Sequence, residues 1–422
     1  MSTALNRPLR LVPQVRHYDW GTRDFIPRLC GREPGDLPEA ELWFGAHPDA
    51  PAGVVLESGS AEPDRGLPPL DPPASVPHPD TVPLDRLIAD RRHEVLGPSS
   101  TSTDLPFLTK ILSAARPLSI QAHPSHYQAV RGFAAETGTH PASGDRNYRD
   151  PNHKPELLYA LTPFSALSGF RPATEAARLL SALGLERLPP NIHRLESEGA
   201  AAYRPLLEAL RRHTGTGFAA DAVEAARRAS TMGDADFREA MGWVVRIAAH
   251  HPDDPLVVAP LFLRLVRLGP GEALFTEPGV PHSYLEGSAV EVMASSDNVL
   301  RLGLTSKRVD AAKLLDVLTY EAADAPLIEP RVEEHSWGTR CCFRPPVDDF
   351  RLDVLHLINE GEAPLSPDGR ARIVLALEGE PEVRYVSGSK SLRPGQALFL
   401  PAAATTVTAT RRGTLAMTTS NN

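Results

Sequence analysis

Residues 281–307 read PHSYLEGSAVEVMASSDNVLRLGLTSK. Charged and apolar side chains alternate along much of this stretch. Val290 and Val292 flank Glu291, and Leu300 and Leu302 flank Arg301. A period of two sends alternate residues to opposite faces of a strand, so the pattern fits half-buried β structure. Pro270-Gly271 and Pro278-Gly279 mark turns just upstream. On such strands His282, Glu291, Arg301 and Lys307 read as a ligand, an acid or base, and two cations delivered to one cavity. A charged surface loop is the competing reading, which the alternation disfavours.

Upstream, residues 105–124 read LPFLTKILSAARPLSIQAHP. Ser119, Gln121 and His123 form a polar stripe at period two, opposite Leu118 and Ile120. Three polar groups on one strand face need water, one another or a ligand. In NYRDPNHKPELLYAL, residues 147–161, Glu156 follows Pro155 and opens an apolar run, where a loop enters a strand. His153, Lys154 and Glu156 make a dense titratable cluster, with a solvated loop as the alternative. Together, Gln121, His123, Glu156 and His282 offer two imidazoles, a carboxylate and an amide, a reasonable donor set for a borderline divalent metal. Their separation in sequence leaves the metal site open at this point. Nearer the start, in AELWFGAHPDAP at residues 40–51, Glu41 points either into a pocket or to solvent.

The 422 residues are enough for two or three domains. A formal net charge of -9 offers no basic surface for nucleic acid, though a few local cations suffice for a small anion. The three cysteines, Cys30, Cys341 and Cys342, lack CxxC spacing. They fit a reducing compartment rather than a disulfide framework or a cysteine-built zinc site. No secretory segment is visible at the start, and the most apolar stretch, 256–268, is too short to span a membrane and contains Arg264 and Arg267. A cytoplasmic monomer without nucleic-acid or membrane partners is the expectation. Residues 61–83 read as a proline-rich connector and residues 81–95 as a short helix. Helical spacing of Ala, Leu and Val appears over 175–185, 201–213, 219–230 and 236–251, with Thr174 and Asp236 as expected N-caps. Residues 310–317 read as another short helix. From Pro326 the chain reverts to short strands between Gly/Pro turns, as in a small antiparallel sandwich or jelly roll.

Three of these segments together, LPFLTKILSAARPLSIQAHP, DPNHKPE and GVPHSYLEGSAVEVMASSDNVLRLGLTSKRVD, closely resemble type I phosphomannose isomerases, as do YDWG at 18–21 and AELWFGAHP at 40–48. The likeness covers most of residues 15–320 in order; Ala122 and Ser306 are departures that touch no ligand. The resemblance implies a mainly β fold of two cupin-like jelly-roll domains plus a small α-helical domain. Its divisions would be 1–165 with 256–325 (catalytic, carrying the metal), 166–255 (helical insertion) and 326–422 (C-terminal β domain). It implies one Zn²⁺ per chain on Gln121, His123, Glu156 and His282, and interconversion of D-mannose 6-phosphate and D-fructose 6-phosphate. The family's active-site arginine falls on Arg301. Its other pocket residues fall on Glu41, Lys110, Ser119, Lys154, Glu291 and Lys307. Chemically, Glu291 is the first choice for proton shuttle with Lys154 as rival, Arg301 suits charge stabilisation, and Lys110, Ser119 and Lys307 suit a phosphate grip, with Glu41 beside them in the pocket. Two readings compete: an Fe(II) oxygenase using His123, Glu156 and His282 as a facial triad, and a sugar-binding protein without turnover.

Overall fold

The computed structural model describes residues 5–56, 81–98, 100, 102–139, 146–322, 327–365 and 369–421. The expected connector at 61–83 lies outside them except for its last three residues. Those form the strand Thr81–Pro83, which pairs with Gly53–Val55 at the margin of a sheet, where a proline costs no ladder bond. The helix expected over 81–95 follows directly as Leu84–Leu96.

The strand His282–Ala294 is thirteen residues long and pairs with four others. Its second half lies between Phe107–Ala114 and Glu156–Ala160; its first half meets Phe164–Phe170 and touches Ile120–Ala122. This strand is the spine of a ten-stranded antiparallel sheet that also takes in Glu41–Gly45 and Leu300–Gly303.

A second sheet of nine strands holds the C-terminal strands Arg351–Leu357, Arg372–Gly379, Ala397–Leu400 and Gly413–Thr419. It also takes Leu9–Val12, whose Leu9 is opposite Phe399, and, beyond it, Gly53–Val55 and Thr81–Pro83. These three N-terminal strands therefore hydrogen-bond into the C-terminal sheet, although residues 1–165 were expected to serve the catalytic unit. Partner choice between strands is non-local, and a local period of two carries no information about it. A four-stranded sheet, with Val407–Thr410 and Glu382–Tyr385 at its centre, covers the other side of the nine-stranded one. Among the described residues the strand orders run edge to edge, and no sheet closes into a barrel.

Side-chain alternation assigns each face. Ile373 and Leu375 pack toward the ten-stranded sheet, against Ile111, Val290 and Val292. Val374 and Ala376 point the other way, toward Val383 and Ala409 of the small sheet. Helices Ala173–Ser181, Tyr203–Arg211, Phe218–Ala229 and Ala235–Ala248 fall where helical spacing was read, and Pro189–Glu198 adds a helix between the first two that was not. Two caps differ from expectation. Thr174 sits inside its helix, after Pro172 at the N-cap. Asp234, two residues before Asp236, accepts the Phe237 amide at 2.8 Å; the apolar period locates a helix but not its first residue. Asp310 caps Ala311–Val317. No helix among the described residues is long and apolar enough to cross a membrane.

Candidate active site

The site lies where two apolar layers back the same sheet. On Ile120–Ala122, Ile120 and Ala122 pack into the helical core while Gln121 between them lines the cavity. On Leu300–Gly303, Leu300 and Leu302 join that core and Arg301 faces the cavity. Register sets His282 opposite Gln121, and Gln121 opposite Arg301, so the three stand side by side across neighbouring strands. A second row is backed by the nine-stranded sheet. Leu42, Ile111, Val290 and Val292 face that sheet, leaving Glu41, Trp43, Lys110, Glu291 and Met293 on the cavity side. Here Trp43 pairs with Lys110, and Lys110 with Glu291.

His123, Glu156 and His282 are all buried, with one ligand atom from each lying within 4.8 Å of the others. Nδ1 of His123 bonds the Asn298 carbonyl at 2.7 Å, and Nδ1 of His282 bonds the Val280 carbonyl at 3.0 Å. A carbonyl only accepts, so each Nδ1 carries a proton and each ring turns its Nε2 lone pair inward. Burial keeps His123 neutral, with its pKa pushed down to about 4. Those lone pairs face Glu156, at 3.2 Å from His123 and 3.4 Å from His282. Burial opposes ionisation of Glu156, yet the Lys154 ammonium, 3.2 Å away, helps hold its carboxyl well below the usual range. Acceptors thus meet acceptors, and Nε2 of His123 has no hydrogen-bond partner among the described residues. A divalent cation placed among them satisfies all three. The Gln121 amide reaches the same place, with its nitrogen 3.4 Å from His282 Nε2. Two imidazoles, a carboxylate and an amide fit zinc chemistry.

Beside this trio, Lys110 Nζ sits 2.8 Å from Glu291 Oε2 and 3.6 Å from Glu41 Oε1. The Trp43 indole donates to Glu41 at 2.8 Å. Burial would lower the lysine's pKa, but Glu291 and Glu41 raise it instead, so Lys110 stays cationic. Glu291 is raised by burial, a rise that Lys110 only partly offsets and that Glu156 and Glu41 reinforce. Lys110 and Glu291, both buried and both displaced from their ordinary pKa values, are thereby candidates for proton handling.

The cavity they line has a volume of about 730 Å³. Eleven of the residues singled out from the sequence meet here, whereas His153 lies outside, its Nε2 2.9 Å from the Asp349 carboxylate. Glu41, Lys110, Ser119, Gln121, Lys154, Glu156, Glu291, Arg301 and Lys307 line it, and His123 and His282 lie buried against Glu156. Arg301 and Lys307 form no ion pair with a carboxylate among the described residues, unlike Arg149, which bridges Asp49 and Asp297. Burial lowers the pKa of both, and for Lys307 the Arg301 charge adds to the effect. Two neighbouring cations in such a place favour an anionic ligand.

Sequence reasoning missed Asn298. It is fully buried, holds His123 through its carbonyl, donates to the Asp150 and Asn152 carbonyls at 2.8 Å each, and accepts the Arg149 amide at 2.7 Å. Its place in the quoted SSDN stretch was the available signal, but nothing local says that a backbone carbonyl there orients an imidazole. Tyr284 was missed too; its hydroxyl donates to Glu156 at 3.3 Å.

A mainly β scaffold with inward imidazole lone pairs and a carboxylate at one wall of a polar cavity defines a metal-dependent enzyme. A family model described as phosphomannose isomerase type I, catalytic domain, matches residues 72–173. The mannose-6-phosphate isomerase of Escherichia coli K12 is 35% identical over 416 residues, covering 96% of this chain and 98% of its own. A crystal structure of a point mutant of phosphomannose isomerase from Salmonella typhimurium superposes with a TM-score of 0.84 at 31% identity, covering 98% of this chain and all of that one. A zinc-bound mannose 6-phosphate isomerase superposes at 0.83 with 32% identity and the same coverage. The chain belongs to the type I phosphomannose isomerase family.

Proposed function

We propose that the protein interconverts D-mannose 6-phosphate and D-fructose 6-phosphate, with one zinc ion held by Gln121, His123, Glu156 and His282. The observation that carries this reading is the meeting of three acceptor groups on one buried point within a cavity that also presents Arg301 and Lys307. Zinc supplies Lewis acidity toward the sugar oxygens, a contribution of several kcal/mol.

On the open-chain aldose, the Glu291 carboxylate takes the proton from C2. The C–H pair becomes the C1=C2 bond, and the carbonyl π pair moves onto O1 as an enediolate. One proton passes from O2 to O1, the C2 carbonyl forms, and Glu291 returns its proton to C1, so the enzyme ends as it began. A base with a raised pKa suits this role because it also gives the proton back. Lys154, the alternative shuttle, keeps its ammonium on Glu156, which suits it to hold a proton near a sugar oxygen rather than to take one from carbon. Arg301 stays charged and stabilises the enediolate. Ser119 and Lys307 grip the phosphate. Lys110 was expected in that grip, but its charge is balanced by Glu41 and Glu291 before substrate arrives, so we assign it to tuning Glu291.

We retain the division at 1–165 with 256–325, 166–255 and 326–422, amended by the three N-terminal strands in the C-terminal sheet. We also retain a cytoplasmic monomer; the three free cysteines suit a reducing compartment. The test is a coupled assay of zinc-loaded protein on mannose 6-phosphate. Fructose 6-phosphate forms, a chelator stops it and zinc restores it. A zinc-replete protein that binds the sugar phosphate without turning it over overturns the reading.

A further inference from the structure

Leu304 has φ of 56°, one of two non-glycine residues with positive φ among those described. This left-handed conformation is costly for a side chain with a Cβ, and it persists only where the surroundings impose it. Leu304 is buried in the helical core, 1% exposed, so its side chain is fixed from below. Its amide donates to Asp254 Oδ2 at 2.6 Å, while Oδ1 of the same carboxylate accepts the Leu256 amide at 2.9 Å. Gly303 lets this carboxylate approach, since a Cβ there would lie 2.9 Å from Asp254 Oδ2 and 2.5 Å from the Leu256 side chain. Immediately beyond the reversed residue, Thr305, Ser306, Lys307 and Arg308 line the cavity. Asp254 comes from the end of the helical segment, where it caps the 3₁₀ turn Pro255–Leu261.

We propose that Asp254 is a positioning residue for substrate affinity. By holding Leu304 in its left-handed turn, it fixes the rim segment 305–308 at the height where Lys307 meets the substrate phosphate. The helical segment is thereby given a part in binding, although the side chain of Asp254 is placed in no catalytic role. This inference rests on the phosphate grip proposed above. It explains why a leucine occupies a conformation that glycine would adopt more readily: the buried side chain and the clasped amide together define a single path for the chain.

The experiment compares Asp254→Ala, Asp254→Ser and Lys307→Ala in the zinc-loaded, full-length protein. Serine keeps an oxygen to cap the 3₁₀ turn but is too short to reach Leu304 as well. Both Asp254 variants are expected to raise KM for mannose 6-phosphate about five- to tenfold, with kcat within about twofold and zinc content unchanged. Asp254→Ser is expected to lower the melting temperature less than Asp254→Ala, because it keeps the cap and loses only the bond to the Leu304 amide. Tryptic cleavage after Lys307 and Arg308, located by mass spectrometry, is expected to quicken in both. Unchanged KM and cleavage in Asp254→Ser, while Lys307→Ala raises KM, would overturn the clamp and spare the grip. An unchanged KM in Lys307→Ala removes the grip itself. If Asp254→Ala does not fold, Asp254→Ser alone decides.

Discussion

The two large sheets share one apolar interface but treat their remaining faces differently. On Arg372–Gly379, Val374 and Ala376 turn away from the interface and are covered by the small four-stranded sheet. On His282–Ala294, the residues that turn away from the same interface include Glu291 and Met293, which line a cavity. The strands obey one rule of alternation, and the difference lies in what covers the second face. An apolar lid favours apolar side chains, and the buried Arg372 on the same face of the strand donates to the Leu365 and Ala404 carbonyls at 2.9 and 2.8 Å, so that region serves stability. An open cavity accepts charge: the buried Lys110 is answered by Glu41 and Glu291 and Glu156 by Lys154 and the ligand site, while Arg301 and Lys307 stay open to an anion. The contrast is sharpened by variants that act on one face alone.

The largest effect belongs to His282→Ala. It removes one inward lone pair from the buried trio, and zinc and turnover are expected to disappear together. Metal analysis alongside the assay checks this, and a variant with one zinc per chain and wild-type activity removes His282 from the ligand set. Glu291→Gln comes next. It keeps the volume and removes the proposed base, so kcat is expected to fall by about 10²–10⁴-fold with zinc retained. The sign of its pH dependence follows from burial, which raises the Glu291 carboxyl. The base must be ionised to act, so the rate falls as pH drops through that raised pKa. The acid limb of kcat therefore lies above the pH at which an exposed glutamate titrates, and Glu291→Gln lacks that limb.

Much of this site was legible in the sequence because its residues sit on strands with a clear period. Ser119, Gln121 and His123 showed a polar stripe, and Glu291 and Arg301 stood between apolar neighbours. The donor set could be collected by residue type, though only the family likeness joined its distant pieces. The cage around Lys110 was not legible, because Glu41, Lys110 and Glu291 come from three strands whose pairing no local pattern specifies. The same reason hid the pairing of Leu9–Val12 with Ala397–Leu400. Asn298 acts through a backbone carbonyl, a role any residue type supplies in principle, so its identity gave no warning. One helix cap slipped for a smaller reason: Asp234 and Asp236 are both acceptable cap residues, and it is Asp234 whose extended backbone brings its side chain to the Phe237 amide.

On the C-terminal side, Leu355→Ala tests the claim that this region is structural. Leu355 is fully buried between the nine-stranded and four-stranded sheets. Its truncation is expected to cost about 2–5 kcal/mol in denaturant unfolding, through lost burial and a residual cavity. Zinc content and kcat of the folded variant stay at wild-type values. A fall in kcat without unfolding would give the second sheet a part in the chemistry and break the contrast.

The smallest effect lies on the shared interface itself. Thr109 of the catalytic sheet donates its hydroxyl to Thr418 of the C-terminal sheet at 2.9 Å, a buried polar contact within an otherwise apolar layer. Thr109→Val leaves the Thr418 hydroxyl without this partner, at a cost of about 1–3 kcal/mol. Replacing both threonines by valine removes donor and acceptor together while keeping their shape, so the double variant is expected to recover most of that loss. Chemical denaturation of the two single variants and the double variant measures the coupling, with kcat as the control because neither hydroxyl lines the cavity. Additive losses would mean that the two hydroxyls do not depend on each other. Recovery in the double variant would mean that the sheets adhere through apolar area, and that the bond adds register to that adhesion rather than strength.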